Sequence, residues 1–188
     1  MDYIPNIISG LRILLIPIFA FFLLNDYNEI ALYLFLIMSF TDALDGALAR
    51  YLNSESILGA YLDAVADKLM VNTAFFILCY ANILPYYILV IALARDLIIL
   101  AGIIIRQKNN NYLELKPIFL SKINTFMQIV LVTFCLMFLN NIVNLTYIQD
   151  IINVVALTTI FSALEYIYKY KKYIVFKNTK LVDNILIN

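Results

Sequence analysis

Residues 42 to 67 read DALDGALARYLNSESILGAYLDAVAD, and this stretch places four carboxylates near one another in a strongly apolar chain. The four acids are Asp42, Asp45, Asp63 and Asp67. The first two are three residues apart and the last two are four apart, so each pair shares one face of a helix. Gly59 precedes the second pair by four residues and leaves room for a close approach to the backbone. Because ionisable groups are costly inside a membrane, the acids indicate a functional site.

Composition excludes several classes of protein. The chain of 188 residues is 64% hydrophobic and has a mean hydropathy of +0.89, whereas a soluble domain is about half apolar and about one quarter charged. The formal net charge is zero and no basic run is suited to follow a nucleic-acid phosphate backbone, so we expect no nucleic-acid partner. Histidine is absent, which excludes Ser-His-Asp and Cys-His catalysis and imidazole metal sites.

Six long apolar stretches follow one another, each near the roughly 20 residues that cross a bilayer as a helix. They lie at about 7–24, 30–51, 57–80, 84–105, 118–139 and 146–168. The first stretch lacks preceding basic residues and a small-residue cleavage site, so we expect a retained helix. The pattern predicts an all-α polytopic membrane protein with six transmembrane helices. We expect one domain over residues 1–188, with a core at about 4–170 and a basic C-terminal tail at 171–188.

The positions of the basic residues predict the orientation. The connectors at 25–29, 81–85 and 140–145 contain no Lys or Arg, whereas Arg50, Arg106 and the lysines of the tail lie at the opposite ends of the stretches. By the positive-inside rule, both termini and the four acids face the cytoplasm, as in a bacterial inner membrane or its equivalent. The basic tail is expected to lie on anionic headgroups.

The residue types at the site predict a metal and a reaction class. Four acids without histidine or a nearby cysteine suit Mg²⁺ or Mn²⁺, which take oxygen ligands and are held by carboxylates plus substrate phosphates. Lys68, Arg95 and Lys122 lie within the apolar segments, where they can balance the charge of the acids, face phosphate groups, or do both. This combination predicts phosphoryl-type transfer on a lipid-soluble substrate. Asp67, the last acid of the row, is the predicted general base.

Two other classes of function remain open at this point. A cation or proton transporter also uses carboxylates in the membrane, but its acids are expected in both halves of the bilayer. A non-catalytic membrane scaffold would have scattered and expendable acids. The gathering of all four acids on the predicted cytoplasmic side favours the enzyme.

The acids belong to a longer pattern, D-x2-D-G-x2-A-R-x8-G-x3-D-x3-D, which begins at Asp42 and ends at Asp67. This pattern resembles the signature of the CDP-alcohol phosphatidyltransferases at all eight specified positions. IPNIIS at 4–9 followed by Arg12 resembles the opening of bacterial members. DAVADK at 63–68 and the pair Arg95-Asp96 resemble phosphatidylglycerophosphate and cardiolipin synthases, although Ala64 replaces the usual proline. The resemblance implies six transmembrane helices, a polar cavity facing the cytoplasm, a homodimer, and two divalent metal ions, Mg²⁺ or Mn²⁺, per subunit.

The resemblance also implies a role for individual residues. The implied metal ligands are Asp42, Asp45, Asp63 and Asp67, of which the last is also the general base. The implied contacts to CDP and substrate are Gly46, Ala49, Arg50, Gly59 and Asn6. The candidates for binding the acceptor or its phosphate are Lys68, Arg95, Arg106, Lys116, Ser121 and Lys122.

The acceptor is indicated by residues 115–128, LKPIFLSKINTFMQ. The form K-P-x3-S-K-x-N-T resembles CMP-forming cardiolipin synthases, whereas phosphatidylglycerophosphate synthases typically read G-K-x-K-T-x2-Q. The resemblance therefore implies transfer of the phosphatidyl group of CDP-diacylglycerol to phosphatidylglycerol, with release of CMP. Glycerol 3-phosphate is the alternative acceptor. The expected partners are these substrates, membrane lipids and a second copy of the chain.

Overall fold

The structure is a computed structural model that describes the backbone of residues 4–52, 57–108 and 119–186 and the side chains of residues 10–42, 65–101 and 120–169. Within these ranges all regular structure is helical. The helices are α1 (Ile4–Leu24), α2 (Asn28–Leu52), α3 (Ile57–Tyr80), α4 (Tyr86–Lys108), α5 (Phe119–Leu139) and α6 (Leu145–Leu186). The prediction of an all-α chain with six helices is therefore confirmed for the described part.

The last helix is longer than its apolar stretch. α6 runs for 42 residues to Leu186, whereas the predicted membrane segment ends at about residue 168. No glycine or proline interrupts residues 145–186, so nothing in the local sequence breaks the backbone hydrogen bonding. The lysines after residue 168 end the apolar stretch of the sequence, while the helix continues through them.

The outer surface of the described bundle is apolar. Two segments are long and apolar enough to cross a membrane, Leu120–Leu139 in α5 and Leu145–Lys169 in α6, and Gly10–Leu24 in α1 is shorter but also apolar. Large apolar side chains that face outward include Leu14, Phe40, Phe76, Val90, Leu97 and Phe126. A lipid environment accounts for such a surface, since water would make it costly. Six spans remain a prediction.

The connectors at 25–29, 81–85 and 140–145 share one way of ending a helix. One residue in each has a positive φ, namely Asp26 at 62°, Asn82 at 58° and Asn141 at 58°. The following backbone N–H donates to a carbonyl five residues earlier: Tyr27 to Phe22 at 3.0 Å, Ile83 to Leu78 at 2.9 Å, and Ile142 to Met137 at 2.9 Å. This is the Schellman motif. Asn and Asp tolerate the left-handed conformation, so three tight reversals form without glycine.

Packing places α1 against both helices that carry the acids. α1 packs against α2 and α3, while α6 packs against α4 and α5. The α2–α5, α3–α4 and α3–α5 contacts join these groups into one bundle. The buried centre is filled by large apolar side chains such as Phe19, Phe35, Phe75, Leu78 and Leu131. Any polar side chain that enters from α1 or α4 therefore needs a partner within the bundle.

Candidate active site

The structure places the four acids on two helices. α2 carries Asp42 and Asp45, and α3 carries Asp63 and Asp67. Asp42 and Asp67 are half-buried, and the Asp67 Oδ1 atom is fully buried. The side chains of Asp45 and Asp63 lie outside the described residues, and no group of three potential ligands forms among the side chains that are described. The predicted convergence of all four acids therefore stays a prediction.

Several other predicted residues are placed only by their backbone. Asn6 lies on α1, Gly46, Ala49 and Arg50 on α2, Gly59 on α3, and Arg106 on α4. Lys116 falls in a segment outside the described residues. Their roles remain those implied by the resemblance.

Asp42 forms an ion pair with a buried arginine from α1. Nη1 of Arg12 donates to Oδ1 of Asp42 at 2.5 Å, and the two side chains are 1% and 23% exposed. Arg12 is the one charged residue of α1. A buried guanidinium requires an anionic or polar partner, so this contact joins α1 to the helix that carries the first acid pair.

Arg95 joins three helices through all three of its side-chain nitrogens. Nη1 donates to Asp96 Oδ1 at 2.8 Å, Nε donates to Ser162 Oγ at 3.3 Å, and Nη2 donates to both Ser121 and Ser162. Asp96 is on α4, Ser121 on α5 and Ser162 on α6. Arg95 is 1% exposed, so most of its capacity for hydrogen bonds is already used inside the bundle.

Lys68 extends this cluster to α3. Its Nζ lies 3.1 Å from Asp96 Oδ1, and Asn72, one turn further along α3, donates to Asp96 Oδ2 at 3.4 Å. Successive residues of a helix point about 100° apart, so Lys68 reaches toward α4 in a different direction from Asp67. The Lys68 side chain is 32% exposed and the ammonium has three donors, so one bond to Asp96 leaves it able to bind an anion.

The contact between α5 and α6 is polar near the predicted acceptor stretch. The buried Asn124 faces two hydroxyls of α6, with its Oδ1 3.1 Å from Thr158 Oγ1 and 2.8 Å from Thr159 Oγ1. Gln128, one turn later, is also buried, whereas Lys122 is exposed. Ser121, Asn124 and Gln128 therefore share the inner face of α5.

Sequence reasoning assigned no role to the α6 partners, Ser162 and the two threonines. A signal was present, because these polar residues lie at 158, 159 and 162 in the otherwise apolar run of residues 154–164, and this spacing places them on one helical face. Polar residues with this spacing commonly hydrogen-bond to a neighbouring helix inside a membrane.

The donor atoms of the described acids fit a hard divalent cation. Asp42 and Asp67 offer carboxylate oxygens, the ligands that magnesium and manganese prefer. Cys79 lies 12 residues beyond Asp67 on α3, about 18 Å along the helix, in the apolar core. Both cysteines lie in the apolar core and form no disulfide, so neither belongs to the group of described acids.

Comparison with known proteins gives a family match. The model of the family described as CDP-alcohol phosphatidyltransferase matches residues 2–163. A rat cardiolipin synthase (CMP-forming) is 32% identical over 186 residues, which covers 90% of this chain and 62% of the rat protein. A rice chloroplastic CDP-diacylglycerol–glycerol-3-phosphate 3-phosphatidyltransferase 1 is 27% identical over 188 residues, covering 90% of this chain and 57% of that protein.

A third relative matches a shorter part. The CDP-diacylglycerol–glycerol-3-phosphate 3-phosphatidyltransferase of Pseudomonas fluorescens is 49% identical over 78 residues, which is 40% of each chain. The chain thus spans about three fifths of the length of the rat and rice proteins, at 62% and 57%.

Proposed function

Because this chain belongs to the CDP-alcohol phosphatidyltransferase family, we propose that it transfers the phosphatidyl group of CDP-diacylglycerol to an alcohol acceptor and releases CMP. The observation that carries the proposal is the family match over residues 2–163, which includes the whole acid pattern from Asp42 to Asp67. The pairing of half-buried carboxylates with an apolar outer surface supports a lipid substrate.

The proposed step uses Asp67 as the base. The acceptor hydroxyl gives its proton to the Asp67 carboxylate, and its oxygen forms a new bond to the phosphatidyl phosphorus. The bond from that phosphorus to the bridging oxygen of the diphosphate breaks, and CMP leaves with the electron pair. Asp67 suits this role because its carboxylate is half-buried, with one oxygen fully enclosed, so the proton is received away from bulk water.

Asp42, Asp45, Asp63 and Asp67 would hold two ions of Mg²⁺ or Mn²⁺, with Asp67 serving both roles. When bound, these ions supply positive charge to the diphosphate and its leaving group. Gly46, Ala49, Arg50, Gly59 and Asn6 are proposed to bind CDP and the adjoining part of the substrate.

Among the phosphate-binding candidates, the contacts favour Lys68 over Arg95. Arg95 is 1% exposed and its three nitrogens already donate to Asp96, Ser121 and Ser162, so a substrate phosphate would have to displace protein partners. Lys68 is 32% exposed and has donors to spare. Lys122 is exposed, while Arg106 and Lys116 remain candidates from sequence alone.

Phosphatidylglycerol is the proposed acceptor, which makes the product cardiolipin. The matches to the rat and rice proteins each cover 90% of this chain, so both must span residues 115–128. The sequence identity is 32% with the rat cardiolipin synthase and 27% with the rice glycerol-3-phosphate enzyme. The 49% match to the Pseudomonas protein favours glycerol 3-phosphate, but it covers 40% of the chain and need not include those residues. Glycerol 3-phosphate is therefore the alternative.

Competition between the two acceptors tests this assignment. With purified full-length chain, CDP-diacylglycerol and Mn²⁺, equal concentrations of phosphatidylglycerol and glycerol 3-phosphate should yield mainly cardiolipin by mass analysis of the lipids. Phosphatidylglycerophosphate as the main product would reverse the choice of acceptor. Failure of both, and of other alcohols, to support CMP release would overturn the transferase proposal.

Removal of divalent metal should abolish CMP release. Chelation followed by dialysis takes away the charge that balances the acids and the diphosphate, so turnover should fall to background and return with Mn²⁺ or Mg²⁺. Zinc should restore it poorly, because the predicted site lacks the histidine and cysteine ligands that zinc prefers. Undiminished turnover after chelation would contradict the proposed metal set.

The membrane arrangement is part of the proposal. We expect six spans, with both termini and the site facing the cytoplasm, and a homodimer. The three connectors that lack Lys and Arg would then lie on the opposite side. Labelling of single cysteines placed at 26, 82 and 141 in sealed vesicles, after replacing Cys79 and Cys135, would test this orientation.

A further inference from the structure

The Arg12–Asp42 ion pair has no role in the proposed reaction step. Arg12 is among the largest fully buried side chains of the described residues, at 1% exposed, and it is the one charge in α1. Its Nη1 lies 2.5 Å from Oδ1 of Asp42, 30 residues away in the chain. Burial of charged side chains this deep in an apolar bundle costs free energy, so their presence indicates a functional role.

The two helices bring the pair to the same depth. Arg12 is eight residues from the start of α1, about 12 Å along its axis, and Asp42 is ten residues from the end of α2, about 15 Å. α1 and α2 are joined by a tight reversal and pack against each other, so these ends lie on the same side of the bundle. The contact is therefore built into the α1–α2 hairpin.

We infer that Arg12 is a positioning residue that holds the Asp42 carboxylate in the orientation required to bind a divalent cation. This inference rests on the proposed function, since Asp42 is a metal ligand only within it. A carboxylate has two oxygens with about four lone-pair directions, so a bond to Arg12 is compatible with a cation on the same carboxylate. Groups that hydrogen-bond to a metal ligand typically change metal affinity by about 10- to 100-fold when they are removed.

Two effects of Arg12 on a cation oppose each other. The hydrogen bond restricts the rotation of the Asp42 side chain, which favours binding, while the positive charge of the guanidinium repels the cation. We expect the orienting effect to dominate, because groups that hydrogen-bond to a metal ligand typically raise metal affinity and because the guanidinium charge is partly offset by the carboxylate that it contacts. Loss of Arg12 should therefore weaken metal binding.

The test measures Mn²⁺ binding directly, without turnover. Full-length protein in detergent micelles, without nucleotide, is titrated with Mn²⁺ while free Mn²⁺ is followed by electron paramagnetic resonance. Arg12→Gln, which removes the charge and the fork of donors, should raise the Kd about 10- to 100-fold. Arg12→Lys keeps the charge but loses the planar donor geometry, so its Kd should lie between those of Arg12→Gln and the unaltered chain.

A double-mutant cycle separates positioning of Asp42 from general damage to the fold. If Arg12 acts through Asp42, then Arg12→Gln should change the Kd by less than about twofold in an Asp42→Asn background. An equal loss in both backgrounds would overturn the inference, and so would an unchanged or tighter Kd for Arg12→Gln alone. If Arg12→Gln does not fold, the same criteria apply to Arg12→Lys and its cycle with Asp42→Asn.

The outcome also distinguishes this inference from the proposed function. If the unaltered chain binds Mn²⁺ and releases CMP while both Arg12 variants bind Mn²⁺ normally, the inference fails and the proposed function stands. If the unaltered chain neither binds Mn²⁺ nor releases CMP, both are overturned.

Discussion

Asp67→Asn is expected to lower the rate of CMP release by about 100- to 10,000-fold, the usual contribution of a general base. Asparagine has nearly the same shape as aspartate, but its amide cannot accept a proton from the acceptor hydroxyl at neutral pH. Because the shape of the side chain hardly changes and Asp67 is only half-buried, the substitution should leave α3 and most of its packing intact. The measurement is initial CMP release at saturating CDP-diacylglycerol and acceptor.

Two controls make the loss interpretable. Asp150→Asn is the same chemical change at an exposed position of α6, and it should leave turnover within about twofold. Binding of CDP to Asp67→Asn, measured by isothermal titration, should be largely retained. Near-normal turnover in Asp67→Asn would remove this residue as the base, and the base would then have to be sought among the other acids.

Asp96→Ala is expected to destabilise the bundle by about 3–5 kcal/mol, the usual effect of removing one partner from a buried ion pair. Asp96 is the carboxylate that both Arg95 and Lys68 contact, at 2.8 Å and 3.1 Å, and its side chain is 10% exposed. Without it, a guanidinium that is 1% exposed stays in the apolar interior with only hydroxyl partners. The measurement is the free energy of unfolding in detergent.

The matched control is a more exposed ion pair in the same bundle. Glu165 and Lys169 are 2.9 Å apart on α6, with side chains 32% and 55% exposed, so Glu165→Ala should cost no more than about 0.5 kcal/mol. Replacing Arg95 as well, in Arg95→Met with Asp96→Ala, should recover part of the loss, because the fully buried guanidinium is gone and Lys68, which also loses Asp96, is 32% exposed and can be solvated. A loss below about 1 kcal/mol for Asp96→Ala would mean that Arg95 finds another partner.

The helices were predictable because each stretch carries its own signal. Long apolar runs indicated six helices, and all six form in the described part of the chain. The end of α6 was missed because the first lysines after residue 168 end a membrane-compatible surface without breaking a helix, and α6 continues to Leu186. Asp26, Asn82 and Asn141 were also readable signals, since these residue types favour the left-handed turn that ends α1, α3 and α5.

The partners of the buried charges were not predictable in the same way. The sequence placed Arg95 within an apolar segment and offered two uses for it, charge balance and phosphate binding. Its contacts come from Ser121 and Ser162, 26 and 67 residues away, and from its neighbour Asp96. Such pairings depend on how the helices rotate and cross, which no local pattern specifies.

By itself, the sequence determined the helical class, the acid pattern at 42–67 and the family, because these depend on residue types and on spacing along single helices. The tertiary structure alone decided that Arg12 reaches Asp42, that Arg95 is used inside the bundle, and that Lys68 keeps donors to spare. A buried charge must find its partner on another helix, so its role emerges only when the helices pack.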